Sequence, residues 1–136
     1  MATKNEVVLT SGKRKTAVAR ARVKVGNGRV TINGFPVELH PVEILREKIM
    51  EPLTLLGDKL NTIDISVEDS GGGTTGQADA SRTAIAKGIV EYFKDDAIES
   101  MFRQYDRTLL VNDIRRKLAK KPAGRGARAR TQKSYR

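Results

Sequence analysis

Hydrophobic and polar positions alternate through residues 16–25, with Ala17, Ala19, Ala21, Val23 and Val25 on one side and Val18, Arg20, Arg22 and Lys24 on the other. A period of two predicts a strand with one face on a core. Its opposite face would carry a row of cations about 7 Å apart, close to the spacing of phosphates along a nucleic-acid strand. Gly26, Asn27 and Gly28 supply turn residues, so residues 29–33 are expected to return as the second arm of a hairpin before another turn at Gly34. Val42, Leu45, Ile49, Leu53 and Leu56 recur at three- and four-residue spacing and are interrupted by Pro52, which predicts two short helices or one kinked helix over 41–56.

Farther along, Ile63, Ile65 and Val67 alternate with Asp64, Ser66 and Glu68, a second strand that ends at the glycines of 71–73. Ala78, Ile85, Ile89 and Phe93 then form one stripe of a helix over about 75–94. A short helix near 97–104 and a strand or extended segment at 108–111 follow. The elements add up to an α+β domain with one main sheet. Beyond Ile114 apolar residues nearly vanish, so the expected organisation is a globular body of residues 1–114 and a basic tail of residues 115–136 that is disordered when free.

The 136 residues suffice for one core, and 38% of them are hydrophobic. The formal charge of +10 changes the picture through its placement. Residues 115–136 hold ten Lys or Arg and no acid, which leaves 16 cations against 16 acids in residues 1–114. The tail therefore carries the whole net charge. Within the body, residues 13–29 hold seven cations and no acid, whereas residues 30–114 hold eight cations against fifteen acids. Single-signed runs repel themselves unless a polyanion neutralises them, and the tail lacks the apolar face of a membrane-surface helix. Nucleic acid is the partner that fits.

Enzymatic chemistry finds little support. There is no Cys, and His40 beside Pro41 is the single histidine, so no thiolate, disulfide or His-based metal site is expected. Gly71, Gly73 and Gly76 satisfy the spacing of a dinucleotide-binding turn. The acids Asp95 and Asp96, however, fall at the end of the following helix, and too little chain remains for a doubly wound sheet. A phosphate-binding loop of the nucleotide-triphosphatase type fails as well, because no Lys followed by Ser or Thr succeeds the glycines. What remains is that backbone N–H groups at a helix N-terminus hold a phosphate, or that the turn is purely structural. On that view Gly73→Ala should act, if at all, by straining the backbone. No cofactor, no membrane segment and no small-molecule substrate is expected.

Five collinear segments resemble the universal small-subunit ribosomal protein S-nine family in its archaeal form: SGKRKTAVARARV at 11–23, GRVTINGFPVEL at 28–39, EPLTLLG at 51–57, GGGTTGQADASRTAIAKGIVEY at 71–92 and GARARTQKSYR at 126–136. The resemblance implies a β-α-β domain related to the second domain of ribosomal protein S-five, with an extended basic tail. It further implies a structural, non-enzymatic role in the cytoplasm, on ribosomal RNA in the head of the small subunit beside other head proteins, with the tail reaching the anticodon arm of the P-site tRNA. Ribosomal RNA contacts are then expected from Lys13, Arg14, Lys15, Arg20, Arg22 and Lys24, from Gly72, Gly73 and Gln77, and from Arg115, Arg116, Lys120, Lys121 and Arg125. The tRNA-facing residues would be Arg128, Arg130, Lys133, Ser134, Tyr135 and Arg136, with Tyr135 either stacked on a base or packed in a crevice. Ser81 and Ile114 depart from the aliphatic residue and the proline expected at those positions. The rival readings are a free-standing nucleic-acid-binding or chaperone protein and a small phosphate-binding enzyme built on the glycine turn.

Overall fold

A computed structural model describes residues 7–122, 124–128 and 134–136. Strands β1 (Val8–Arg14), β2 (Ala17–Val25), β3 (Val30–Ile32), β4 (Phe35–Pro36) and β5 (Ile63–Ser70) form one mixed sheet in the spatial order β1-β2-β5-β3-β4. Helix α2 (Thr74–Phe93) covers one face of it, α1 (Glu43–Leu56) packs against α2, and α3 (Asp96–Tyr105) packs beside them. The class is α+β, as the sequence pattern predicts.

Alternation in β2 turns Ala17, Ala19, Ala21 and Val23 inward, where they are fully buried, and leaves Arg20, Arg22 and Lys24 exposed on the other face. Val25 departs from that stripe and is exposed. β5 contributes Ile63, Ile65 and Val67 to the same core. The helix over 41–56 is a single α1 that retains Pro52 on its buried side, with Leu45, Ile49, Leu53 and Leu56 beside it. α2 buries far more than one stripe, because it runs between the sheet and α1 and carries mostly small residues through its middle. Ser81, at a position where an aliphatic residue is expected, is fully buried and donates from its hydroxyl to Asp69 Oδ2 at 3.3 Å. Asp69 in turn exchanges hydrogen bonds with Asn33, whose backbone is left-handed at φ 49°.

Two expectations are corrected. Residues 29–33 do not form a hairpin with the strand before them. β5 lies between β2 and β3, antiparallel to the first and parallel to the second. The loop after β2 instead docks on the start of β5. Asp64 accepts the backbone amides of Asn27 and Arg29 at 2.8 and 3.0 Å, and the Gly26 and Gly28 amides donate to Thr62 and Ile63 carbonyls. Glycine-rich turns suit either a tight hairpin or a crossing one strand wide, so local chemistry alone does not separate them. The true hairpin joins β1 to β2 through Lys15 and Thr16, with Lys15 at φ 55°. The second correction is at 108–111, which is no strand. Arg107–Leu109 is a 3-10 turn capped by Asp106, whose side chain accepts the Thr108 amide, and the turn inserts Leu109 fully into the core.

β1 escapes an apolar-periodicity reading because, after Val8, its inward positions are Thr10, Gly12 and Arg14. Gly12 is required there by space. A Cβ at this position would lie 2.2 Å from the Ala80 carbonyl oxygen and 2.8 Å from the Ala84 nitrogen, both backbone atoms of α2. Gly12→Ala therefore has to push a helix off a sheet. It is expected to lower unfolding free energy by about 1–3 kcal/mol or more, measured by urea denaturation.

Candidate nucleic-acid interface

The two-residue turn between β1 and β2 brings Lys13, Arg14 and Lys15 to one end of the sheet, and the glycine turn after β5 packs directly against it. Gly71 and Gly72 both have positive φ, at 76° and 65°. A Cβ on either would come within 2.9 Å of backbone atoms of Thr16 or Ala17. α2 starts immediately afterwards with Gly73 as its N-cap residue and no side chain accepting from its first amides. Gln77 donates from Nε2 to the Gly71 carbonyl at 3.1 Å, so its side chain braces the turn. The exposed amides of the first α2 turn, with the positive end of the helix dipole, suit a phosphate oxygen. Gly73 itself has φ −103° and open space around its Cβ position. The expectation of strain at Gly73 is thus corrected: it belongs to Gly71 and Gly72.

The base of the tail reaches the same end. Arg14 donates from Nη1 to the Arg115 carbonyl at 2.8 Å, and its guanidinium lies 3.5 Å from Asp113 and 3.8 Å from Asp79. Asp113 accepts the Arg115 amide and both Nε and Nη2 of the Arg115 guanidinium. Arg116 donates to the Lys15 carbonyl at 2.8 Å, while Asn112 accepts from the Lys13 amide and from Lys87 Nζ. Three cations expected at RNA, Arg14, Arg115 and Arg116, thus have partners within the protein. The hydrogen bonds and positive charge of Arg115, joined by Arg14, hold the Asp113 carboxyl far below the usual carboxylate range, and the same pairing raises the Arg115 guanidinium.

Arg20, Arg22 and Lys24 are exposed along β2, but the inserted β5 changes what they face. Arg20 stands opposite Glu68, Arg22 opposite Ser66 and Lys24 opposite Asp64. The Asp64 carboxyl is lowered mainly by the Arg29 and Asn27 amides, then by the charge of Lys24. A run that is acid-free in sequence is therefore bordered by acids in space. In the tail, Lys120, Lys121, Arg125 and Arg128 are exposed, as are Ser134, Tyr135 and Arg136. The Lys121 amide donates to the Gly126 carbonyl. Arg130 and Lys133 lie outside the described residues.

Sequence reasoning missed the acids and amides that organise this end, namely Asp79, Asn112 and Asp113. It also missed Arg82, a buried guanidinium on α2 that pairs with Asp106 at 2.9 Å and with Glu51, and donates to Thr108. Burial alone would raise the Asp106 carboxyl, but hydrogen bonds from Thr108 and Arg82 outweigh it and lower it. A local signal existed only for Asp113 and Arg115, two residues apart. Among the described residues no three His, Cys, Asp or Glu are grouped to hold a metal, and no helix is long and apolar enough to cross a membrane.

A profile described as ribosomal protein S9/S16 matches residues 12–136. The chain belongs to the ribosomal protein S9/S16 family. It is similar to proteins named small ribosomal subunit protein uS9. The one from Thermoplasma volcanium is 66% identical over 131 residues, covering 96% of this chain and 99% of that one. The one from Thermoplasma acidophilum is 66% identical over 95% of this chain and 100% of its own length. The Halobacterium salinarum protein is 55% identical over 96% and 99%. The S9/S16 match takes in the tail together with the body, so tail and turn belong to one family pattern.

Two tests follow from this geometry. Gly72→Ala should destabilise the domain by at least about 1–2 kcal/mol, the cost of a left-handed non-glycine residue, while Gly73→Ala stays close to wild type in the same thermal melts. The second concerns acid. Asp64, Asp95, Asp106 and Asp113 all have carboxyls lowered from 3.8 in the folded state. Their contribution is complete above that unfolded value and is lost as pH falls through the folded ones. The urea midpoint should thus drop steeply below about pH 4, with Asp113→Asn flattening the slope.

Proposed function

We propose that this chain is a structural constituent of the small ribosomal subunit. In this reading its body binds ribosomal RNA in the head beside neighbouring proteins, and residues 115–136 extend to the anticodon arm of the P-site tRNA. The observation that carries it is the meeting of three features at one end of the fold. The Lys13 to Lys15 turn, the uncapped N-terminus of α2 and the root of a tail that holds the whole net charge lie together there. The naming of the similar proteins supports the subunit. The reading needs no catalytic group, and its site of action is the cytoplasm.

The roles divide by geometry. Lys13, Lys15, Arg20, Arg22 and Lys24 present exposed cations to phosphates, and the amides after Gly72 and Gly73 offer a further phosphate position. Gln77 and Arg14 shape this surface from beneath. Lys120, Lys121 and Arg125 accompany the chain along RNA, and Arg128, Arg130, Lys133, Ser134, Tyr135 and Arg136 form the end that meets tRNA. Twenty-two extended residues span at most about 75 Å, enough to cross from a surface body to a distant centre. Gly and Ala between the arginines let the backbone approach phosphates, and each guanidinium offers a fork of donors.

Two measurements test the proposal. Replacing Arg20, Arg22 and Lys24 by Ala should weaken RNA binding irrespective of sequence and reduce the salt slope by up to about one unit per lost phosphate contact. An unchanged slope would remove these residues from the interface. Deleting residues 128–136 should leave the domain folded and incorporated yet lower P-site tRNA affinity, each lost charged contact being worth about 1.5–3 kcal/mol before the ordering entropy of the tail is subtracted. Equal affinities for full-length and truncated subunits across a salt series would confine the tail to RNA packing.

A further inference from the structure

Asp113 is an acid at the entrance to the most basic segment of the chain, where a carboxylate works against binding any polyanion. Its side chain is 14% exposed, and it is held between two guanidinium groups, Arg14 of the β1–β2 hairpin and Arg115 of the tail. Asp113 also pairs with Arg14 as an isolated parallel bridge, so the root continues the sheet for one residue beyond the β1 edge. Arg14 spans three elements at once: β1, the α2 residue Asp79, and the Arg115 carbonyl. One residue later Arg116 is tied to the Lys15 carbonyl. Past this point the described tail residues form no helix or strand.

We propose that Asp113 is a positioning residue which, with Arg14, forms a clasp that fixes the direction in which the tail leaves the body. The inference rests on the reading of residues 115–136 as a functional extension. A flexible tether whose first residues are fixed samples less space, which raises the effective concentration of its far end at a target and lowers the entropy lost on docking. Asp113 thus supports a polyanion-binding tail without touching the polyanion. Asn112 accepts from the Lys13 amide and from Lys87 independently of the clasp, so breaking the clasp should change only the chain beyond it.

The chain has no cysteine, so two spin labels can be placed at chosen positions. With labels at Glu91→Cys and Leu118→Cys, both exposed sites, the otherwise unaltered protein should show one narrow distance distribution. Asp113→Asn keeps the size of the side chain and removes its charge. It should at least double the width of the distribution while leaving the circular dichroism unchanged, and Arg14→Gln should do the same. A distribution equally narrow in Asp113→Asn would overturn the clasp. In subunits, Asp113→Asn should lower P-site tRNA affinity several-fold with no loss of salt slope, since no cation has been removed. If tail truncation lowers that affinity and Asp113→Asn does not, the positioning role is wrong although the tail reading stands. If truncation itself has no effect, the tail reading fails and the distance measurement still decides the clasp.

Discussion

The close approach of α2 to the β1–β2 hairpin is the constraint on which the rest of the molecule depends. It is built almost entirely from small residues: Gly12 on β1, Ala17, Ala19 and Ala21 on β2, and Ala80, Ala84 and Gly88 on the helix, all buried. Because their side chains are short, helix backbone meets strand backbone directly, and Thr10 donates from its hydroxyl to the Ala84 carbonyl across the contact. Larger residues would fill a similar volume with side chains and leave the backbones farther apart. The short distance brings the start of α2, the glycine turn and the hairpin tip into a single surface. It also lets Asp79 on the helix reach Arg14 on the strand.

Charge is distributed on this frame in two ways. On the β2 outer face cations are exposed and interleaved with the acids of β5, which limits self-repulsion in the free protein without closing the face. At the hairpin end cations are consumed inside the structure, by Asp79, Asp113 and backbone carbonyls. The same residue type thus serves contact in one place and architecture in the other, and only the fold separates them. Arg82 is the extreme case: a buried guanidinium whose paired carboxylates join α1, α2 and the turn after α3, where removal of one partner would leave an uncompensated charge.

Much of this was legible in the chain. Period-two patterns located β2 and β5 nearly to the residue, and three- and four-residue spacing located α1. What stayed hidden has common causes. β1 carries Thr, Gly and Arg after Val8 on its inner face and so shows no apolar alternation. β3 is three residues long, and its partner lies some thirty positions away, so nothing in residues 26–33 reveals that another strand intervenes. Residues 108–111 have strand-like composition, yet Asp106 caps a 3-10 turn there because the Thr108 amide is within its reach. At the candidate site the cations were visible by type, but their partners Asp79 and Asp113 are contacts made across the fold.

The position of β5 governs the order in which the sheet is assembled. β1 and β2 make one hairpin and β3 and β4 another, but the two share no strand pairing until residues 63–70 slide between them, after α1 has been formed or at least synthesised. On a growing chain the basic hairpin therefore emerges long before the strand that carries Asp64 and Glu68 to its side. For that interval its cations lack those neighbouring acids, and its edge is open on the side later taken by β5. Pairings of this range also slow folding, since the intervening loop must be closed before the new strand contacts form. The β1–β2 hairpin is thus more cationic in its own surroundings on the growing chain than in the finished fold, and the central strand brings it acids and covers its open edge in the same step.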